Sequence, residues 1–353
     1  MPTMLFDAAR RVMTRATHKI YSLPVLVLMP HSSCNCRCVM CDIWRANAHS
    51  VELSVADLEP HVAAMRRLGV QWVVLSGGEA LMHSNLWTLC QMLRDLPAHV
   101  TLLSTGLLLT RNARDVVRYT SDVIVSLDGS QPVHDRIRNI PRAYARLAQG
   151  VESLKIEQPE FPVTARCTLQ RLNYVDLPNI VASAHELGLD GISFLAADVS
   201  STAFNRPTPW DRGRVADVAL DAHNVAHFRE VVEEAIVRYA NDFASGYIAE
   251  SPDKMRRLPA YFAALLGQGE FPPVRCNAPW VSAVVESDGA VRPCFFHPVI
   301  GHLSDGALDA VLNSPAARQF REELNVAGNS VCQRCTCSLY LSPTRDLRAT
   351  GHA

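Results

Sequence analysis

The stretch "HSSCNCRCVMCDIW" (31–44) holds Cys34, Cys36, Cys38 and Cys41. Thiols so crowded can form a disulfide, grip zinc or carry an iron–sulfur cluster. Five more cysteines lie between Cys276 and Cys337, and only Cys90 and Cys167 fall between the groups. An odd total of eleven in two clusters favours metal ligation over a disulfide framework. Cys90, in "LWTLCQMLRDL", takes a helical apolar position and reads as core. Zinc prefers four ligands, usually as two paired knuckles. Cys34, Cys38 and Cys41 instead spell C-x3-C-x2-C, three thiolates on a short arc. On a cubane cluster they would leave one iron open to a cofactor or substrate. Cys36 lies between those positions and reads as a bystander.

Such a loop needs a scaffold. Six runs rich in Val, Ile and Leu recur: "PVLVLMP" (24–30), "WVVLSG" (72–77), "VTLLSTG" (100–106), "DVIVSLDG" (122–129), "PVTARCTL" (162–169) and "GISFLAA" (191–197). Between them lie amphipathic stretches. "SVADLEPHVAAMRRLG" has a Ser54 cap, Asp57 in the capping-box position and Gly69 at its end. "YVDLPNIVASAHELGL" repeats the three-to-four spacing and ends near Gly188. Strands alternating with helices predict an α/β fold with a parallel sheet and right-handed crossovers, as an open sheet or a barrel. The cysteine loop follows the first strand, Gly77-Gly78-Glu79 the second, Ser104-Thr105-Gly106 the third and Ser126-Leu127-Asp128-Gly129 the fourth. Active sites of such folds sit at these strand ends.

Bulk properties narrow the function classes. The chain has 353 residues, 48% hydrophobic and 20% charged, with a net charge of −1, so no field draws it to nucleic acid. No apolar run reaches membrane-span length, so stable membrane insertion is not expected. The basic, amphipathic "LFDAARRVMTRATHKI" (Arg10, Arg11, Arg15, Lys19) reads as a helix packed on the domain edge and lacks a secretory pattern. The expectation is a cytoplasmic protein with reduced thiols.

Several of these pieces together resemble one family. Cys34-Asn35-Cys36-Arg37-Cys38-Val39-Met40-Cys41 resembles the signature of the radical S-adenosylmethionine (radical SAM) enzymes. Gly77-Gly78-Glu79 is similar to that family's GGE turn, and Ser126 in "VSLDG" to its fourth-strand serine. "SLDGSQPVHDRIRN" has wording common in the SPASM/twitch branch. The resemblance covers about 23–200 and implies a partial (β/α)6 TIM-type barrel. It implies that Cys34, Cys38 and Cys41 hold a [4Fe–4S] cluster whose fourth iron is chelated by S-adenosylmethionine. Met40, Gly77, Gly78, Glu79 and Ser126 are the implied cofactor contacts. Thr105 stands where the family's turn usually has asparagine, so no ligand role is carried there. The implied chemistry is reductive cleavage of the sulfonium to a 5′-deoxyadenosyl radical. The electron would come from a low-potential donor such as flavodoxin or ferredoxin.

The second cysteine group reads as a β-hairpin, "WVSAVVE" and "AVRPC" around Asp288-Gly289, with Cys276 and Cys294 bracketing it. A helix capped by Ser314 with Pro315 first follows, then Cys332-x2-Cys335 and Cys337. This resembles the twitch domain, the shorter relative of SPASM, and implies an auxiliary [4Fe–4S] cluster on Cys276, Cys294, Cys332 and Cys335. A zinc staple, or Cys337 in place of Cys335, stays open. The expected organisation is a helical extension (1–22), the barrel (23–200), a helical bridging segment (201–275), a small α+β auxiliary-cluster domain (276–340) and a tail (341–353).

A cluster ligated by protein at every iron suits electron transfer. The expected function is therefore an oxidative, dehydrogenase-type modification of a small molecule such as a sugar or cyclitol, the auxiliary cluster taking the electron. About 23 residues precede the first strand, too few for the peptide-recognition domain of many maturases. Maturation of a ribosomal peptide is the first alternative, and a non-catalytic iron–sulfur or zinc protein the second. Arg166, on the polar face of "PVTARCTL" with Thr164 and Thr168, and His134, beside Asp135, are the candidate catalytic side chains. Ordering of their own loop is the competing role for His134 and Asp135, and an exposed, salt-bridged position the competing reading of Arg166. His297, just past Cys294, reads first as a solvated loop histidine, with tuning of the auxiliary cluster as its alternative role.

Overall fold

The structure, a computed structural model, describes residues 2–94 and 96–347. Six strands run parallel, each beside the next in chain order: β1 (Val25–His31), β2 (Trp72–Gly77), β3 (His99–Ser104), β4 (Asp122–Ser126), β5 (Val163–Leu169) and β6 (Ile192–Ala196). Three more belong to the second cysteine region: β7 (Ser282–Val285), β8 (Ala290–Arg292) and β9 (Gly301–His302). Among the described residues the sheet order is β6-β5-β4-β3-β2-β1-β7-β8-β9. The parallel part is thus an open, partial barrel. The C-terminal hairpin extends it, β7 lying parallel to β1 before β8 and β9 turn antiparallel.

Local chemistry explains the elements. Helix Val55–Leu68 starts at Ser54, whose side chain accepts from the Asp57 N–H while Asp57 accepts from Ser54 N–H at 2.7 Å. It stops at Gly69, at φ +67°. Helix Pro315–Glu323 begins after Ser314, which accepts from Ala317 N–H. The expected strand from Trp280 starts two residues later. Ala278–Val281 forms a helical turn, with Pro279 in it and Asn277 tied to Leu339 and Leu341.

The two faces of the barrel are filled differently. On β5, Val163, Ala165, Cys167 and Leu169 are buried in the main core, while Thr164, Arg166 and Thr168 are only half-buried. A separate cluster joins Val25, Val27 and Trp72 to Val281, Leu341 and Leu347. Leu341 and Leu347 are 2% and 0% exposed, so the segment expected as a tail is part of the core as far as 347. Residues 348–353 of that expected tail lie outside the described residues.

The N-terminal helix, Pro2–Thr17, packs on the edge through a polar residue. Arg11, 3% exposed, donates to Gln71 at 2.8 Å and to the carbonyls of Ser342, Pro343 and Arg345. Leu5, Phe6, Val12 and Met13 are exposed. The reason is hydrogen bonding: irregular carbonyls under the barrel need a donor that an apolar side chain cannot supply. No helix among the described residues is long and apolar enough to cross a membrane.

Candidate active site

The cysteine loop leaves β1 and is held on three sides. Cys34 is clamped by Asn47, whose side chain accepts from Cys34 N–H at 2.9 Å and donates to its carbonyl at 2.8 Å. Arg37 and Val39 donate backbone N–H groups to the carbonyls of Arg138 and Ile137 at 3.1 and 3.0 Å. Cys34, Cys36, Cys38, Met40 and Cys41 gather against Leu107, Ile140 and Ala143. All eleven cysteines are free thiols. The neighbouring Cys34 and Cys38 thiols, with burial, push the Cys36 thiol up, so it keeps its proton. Cys38 is held down to about 7 by the Cys36 thiol and by Arg138, against burial. Burial pushes Cys41 up to about 12.

The glycine turn meets this loop backbone to backbone. A Cβ on Gly78 would stand 1.9 Å from the Ser33 carbonyl oxygen, and Glu79 N–H donates to that oxygen at 2.9 Å. Gly77, at φ +100°, could carry a Cβ only 2.9 Å from that of Met29. Glu79 itself is fully buried and knits three strand ends together. Its carboxylate accepts from Leu81 N–H, Ser104 hydroxyl and Thr105 N–H at 3.2, 3.1 and 2.7 Å. The Thr105 hydroxyl lies 2.6 Å from Glu79 Oε2 and 3.0 Å from Asn35 Oδ1. Burial raises the Glu79 carboxyl, and the Thr105, Leu81 and Ser104 donors pull it back. Ser33 Oγ and Asn35 Nδ2, flanking Cys34, are buried without a hydrogen-bond partner. Three thiols, a side-chain-free turn and two unsatisfied polar atoms in one place fit a thiolate-held cluster with a polar cofactor on it.

A segment beyond β6 straps the loop down. Arg206, with a side chain 0% exposed, pairs with Asp198 at 2.8 Å and donates to Asp198 and Met40 carbonyls at 2.9 and 3.1 Å. Its guanidinium stacks 3.7 Å above the Trp210 ring, whose N–H donates to Asp42 at 2.6 Å. Arg214 donates to the Val39 carbonyl. The expected boundary at 200/201 therefore cuts through a unit that covers the mouth.

The other expected residues separate into two groups. Ser126 and Arg166 are register partners on β4 and β5 at the mouth, and Arg166 donates to Ser193 at 3.3 Å. His134 is enclosed. It is 0% exposed, its Nδ1 accepts from Asp128 N–H at 3.2 Å, and burial, with Arg138 second, lowers it to about 3. The geometry is that of a loop-ordering residue. Asp135 does likewise, accepting from Arg142 and Tyr144 N–H groups at 3.1 and 2.8 Å. Asp128 pairs with Arg138, which donates to Cys38 Sγ at 3.5 Å. Burial would lower the Arg138 pKa, but Asp128 and Cys38 outweigh it and raise it. Sequence reading missed Asn35, Asn47, Thr105, Arg138 and Arg206. Only the substitution at Thr105 carried a signal.

The second thiol group assembles at the end of the hairpin. Burial raises Cys294 to about 12 and Cys332 to about 11, with Cys276 close enough to add its charge to both. Burial also raises Cys335, which feels Cys337, Cys276 and Cys294, while Cys337 is exposed. His297 Nε2 lies 3.3 Å from Cys332 Sγ. Phe295 and Phe296 reach back to the strap, their rings 4.9 and 6.2 Å from Phe204. The Tyr261 hydroxyl, buried without a well-formed hydrogen bond, is within electrostatic reach of Asp198, Ser200 and Cys335.

The open parallel barrel has thiols at its strand ends and a second thiol group built onto its edge. Comparison with known proteins agrees. Residues 28–184 match the radical SAM superfamily model, and residues 276–336 the SPASM model, an iron–sulfur cluster-binding domain. The chain thus carries a radical SAM domain and a SPASM domain. It is an S-adenosylmethionine and [4Fe–4S] enzyme of that class. It is 24% identical to the AdoMet-dependent heme synthase of Methanosarcina barkeri, over 88% of this chain and 90% of that one. It is 26% identical to the PqqA peptide cyclase of Ruegeria pomeroyi, over 67% of this chain and 58% of that one. It shares a fold with SuiB of Streptococcus suis bound to S-adenosylmethionine, with TM-score 0.62, 14% identity, and coverage of 97% and 80%.

Proposed function

We propose that the protein oxidises a small organic substrate held between its two thiol groups, Cys34, Cys38 and Cys41 serving the catalytic cluster. Cys276, Cys294, Cys332 and Cys335 would hold the auxiliary cluster that removes the second electron. When bound, the catalytic cluster and S-adenosylmethionine supply a carbon radical able to take hydrogen from an unactivated C–H. Arg138 balances the charge on Cys38, Gly78 leaves room for a ligand against the Ser33 backbone, and Ser33 and Asn35 offer it polar atoms. The Arg206 strap excludes water from that place. Arg166 and Ser126 line the mouth where the substrate would enter. The observation that supports the reading is the aromatic contact between the two regions: Phe204 against Phe295 and Phe296, with centroids 4.9 and 6.2 Å apart.

Anaerobic reconstitution should give about eight irons per chain. Alanine at Cys34, Cys38 and Cys41 should abolish 5′-deoxyadenosine formation. Alanine at Cys332 and Cys335 should spare it and stop oxidised product. Iron near four with bound zinc, or unchanged turnover in the last variant, would remove the auxiliary cluster from the reaction. A second reading, oxidation or crosslinking of a ribosomal peptide, draws on the likeness to the PqqA peptide cyclase and on 20% identity, over 94% of this chain, to the subtilosin biosynthesis protein AlbA of Bacillus subtilis. A short precursor peptide encoded beside the gene, modified in mass by the reconstituted enzyme, would decide for it.

A further inference from the structure

We infer that His297 is a dedicated hydrogen-bond donor to the Cys332 sulfur and raises the reduction potential of the auxiliary cluster. This rests on the four-thiol reading above and adds an electronic role for a residue outside the ligand set. The observations are geometric. His297 is 4% exposed, and its Nε2 lies 3.3 Å from Cys332 Sγ. Its ring is fixed edge-on against Phe320, centroids 5.0 Å apart. Its backbone is fixed as well. His297 N–H donates to the Cys294 carbonyl at 3.3 Å, and its own carbonyl accepts from Arg292 at 3.0 Å. The acceptor is held just as firmly, since Asn329 Oδ1 takes the N–H groups of Val331 and Cys332 at 3.0 and 3.1 Å. Donor and sulfur thus approach from two chain segments, each tied down on its own side.

Hydrogen bonds to cluster sulfurs favour the reduced, more negative state, because the donor's partial positive charge faces the added electron. A cluster that must accept an electron from a substrate radical gains from such a donor. The ring sits in a buried site, where little water screens its dipole.

The test needs no substrate. In a protein with Cys34, Cys38 and Cys41 all changed to alanine, only the auxiliary cluster remains, and its potential can be read by EPR-monitored titration. H297F should keep four irons and lower the potential, so that the reduced fraction at a fixed poise falls about tenfold, or about 59 mV for one electron. H297Q, which returns an N–H at similar reach, should restore most of the shift. An unchanged potential in H297F with the cluster intact would overturn the inference. So would loss of the cluster in H297F together with strong nitrogen coupling in the parent, which would make His297 a ligand. Absence of any cluster in the parent would instead refute the four-thiol reading.

Discussion

Gly78 is where the least atomic change should have the largest effect. The Ser33 carbonyl stands 1.9 Å from where a Cβ would lie, and that carbonyl is backbone, so neither side can give way cheaply. G78A should cost about 3 kcal/mol of stability. It should also lower reconstituted iron from about eight to about four per chain, because the displaced segment is the start of the cysteine loop. His134 gives a pH dependence. Its Nδ1 must keep a lone pair for the Asp128 N–H, and burial lowers its pKa to about 3, below the ordinary 6.5. The unfolded chain then binds a proton that the folded one refuses. Stability is full above about pH 6.5 and falls as pH drops toward 3, by about 2 kcal/mol between pH 8 and pH 5. Urea unfolding of the metal-free protein at those two pH values should show the loss, and H134N should flatten it.

The strap between β6 and helix Arg212–Val218 is held chiefly by one buried ion pair and one stacked ring. R206M leaves the buried Asp198 carboxylate with its Ser200 and Ser201 donors but without its cation, a change that costs about 3–5 kcal/mol in comparable pairs. Proteolysis within 198–211 should accelerate, and uncoupled 5′-deoxyadenosine should rise as water reaches the mouth. Adding D198N should recover most of the stability. If the double variant is as weak as R206M, the pair is not what holds the strap.

β7 pairs with β1 through four residues, Val25 to Leu28 against Ser282 to Val285, so the auxiliary region and the barrel share one hydrogen-bonded sheet. The molecule should unfold in one calorimetric transition, not two. Leu347, fully buried beside Val25 and Trp72, makes the C-terminal segment part of that unit. L347A should lower stability by about 2–5 kcal/mol and shift the whole transition, leaving iron content unchanged. A separate early melt of the auxiliary region would contradict the shared sheet.

Local rules made much of this legible from the residues alone. Alternation in "PVTARCTL" marked both faces of β5, Ser54 and Asp57 marked a helix start, and four crowded thiols marked the metal chemistry, because each is a short-range pattern along the chain. The partners of those thiols were not legible. Arg138 meets Cys38 across a hundred positions, Arg206 meets Met40 across 166, and Leu347 lies beneath a barrel whose first strand begins at Val25. His134 looked like an acid–base group by type, and only its enclosure shows a ring that keeps no proton on Nδ1. Such contacts depend on which strand ends converge and which carbonyls are left without donors. Packing decides that, and spacing along the chain does not encode it.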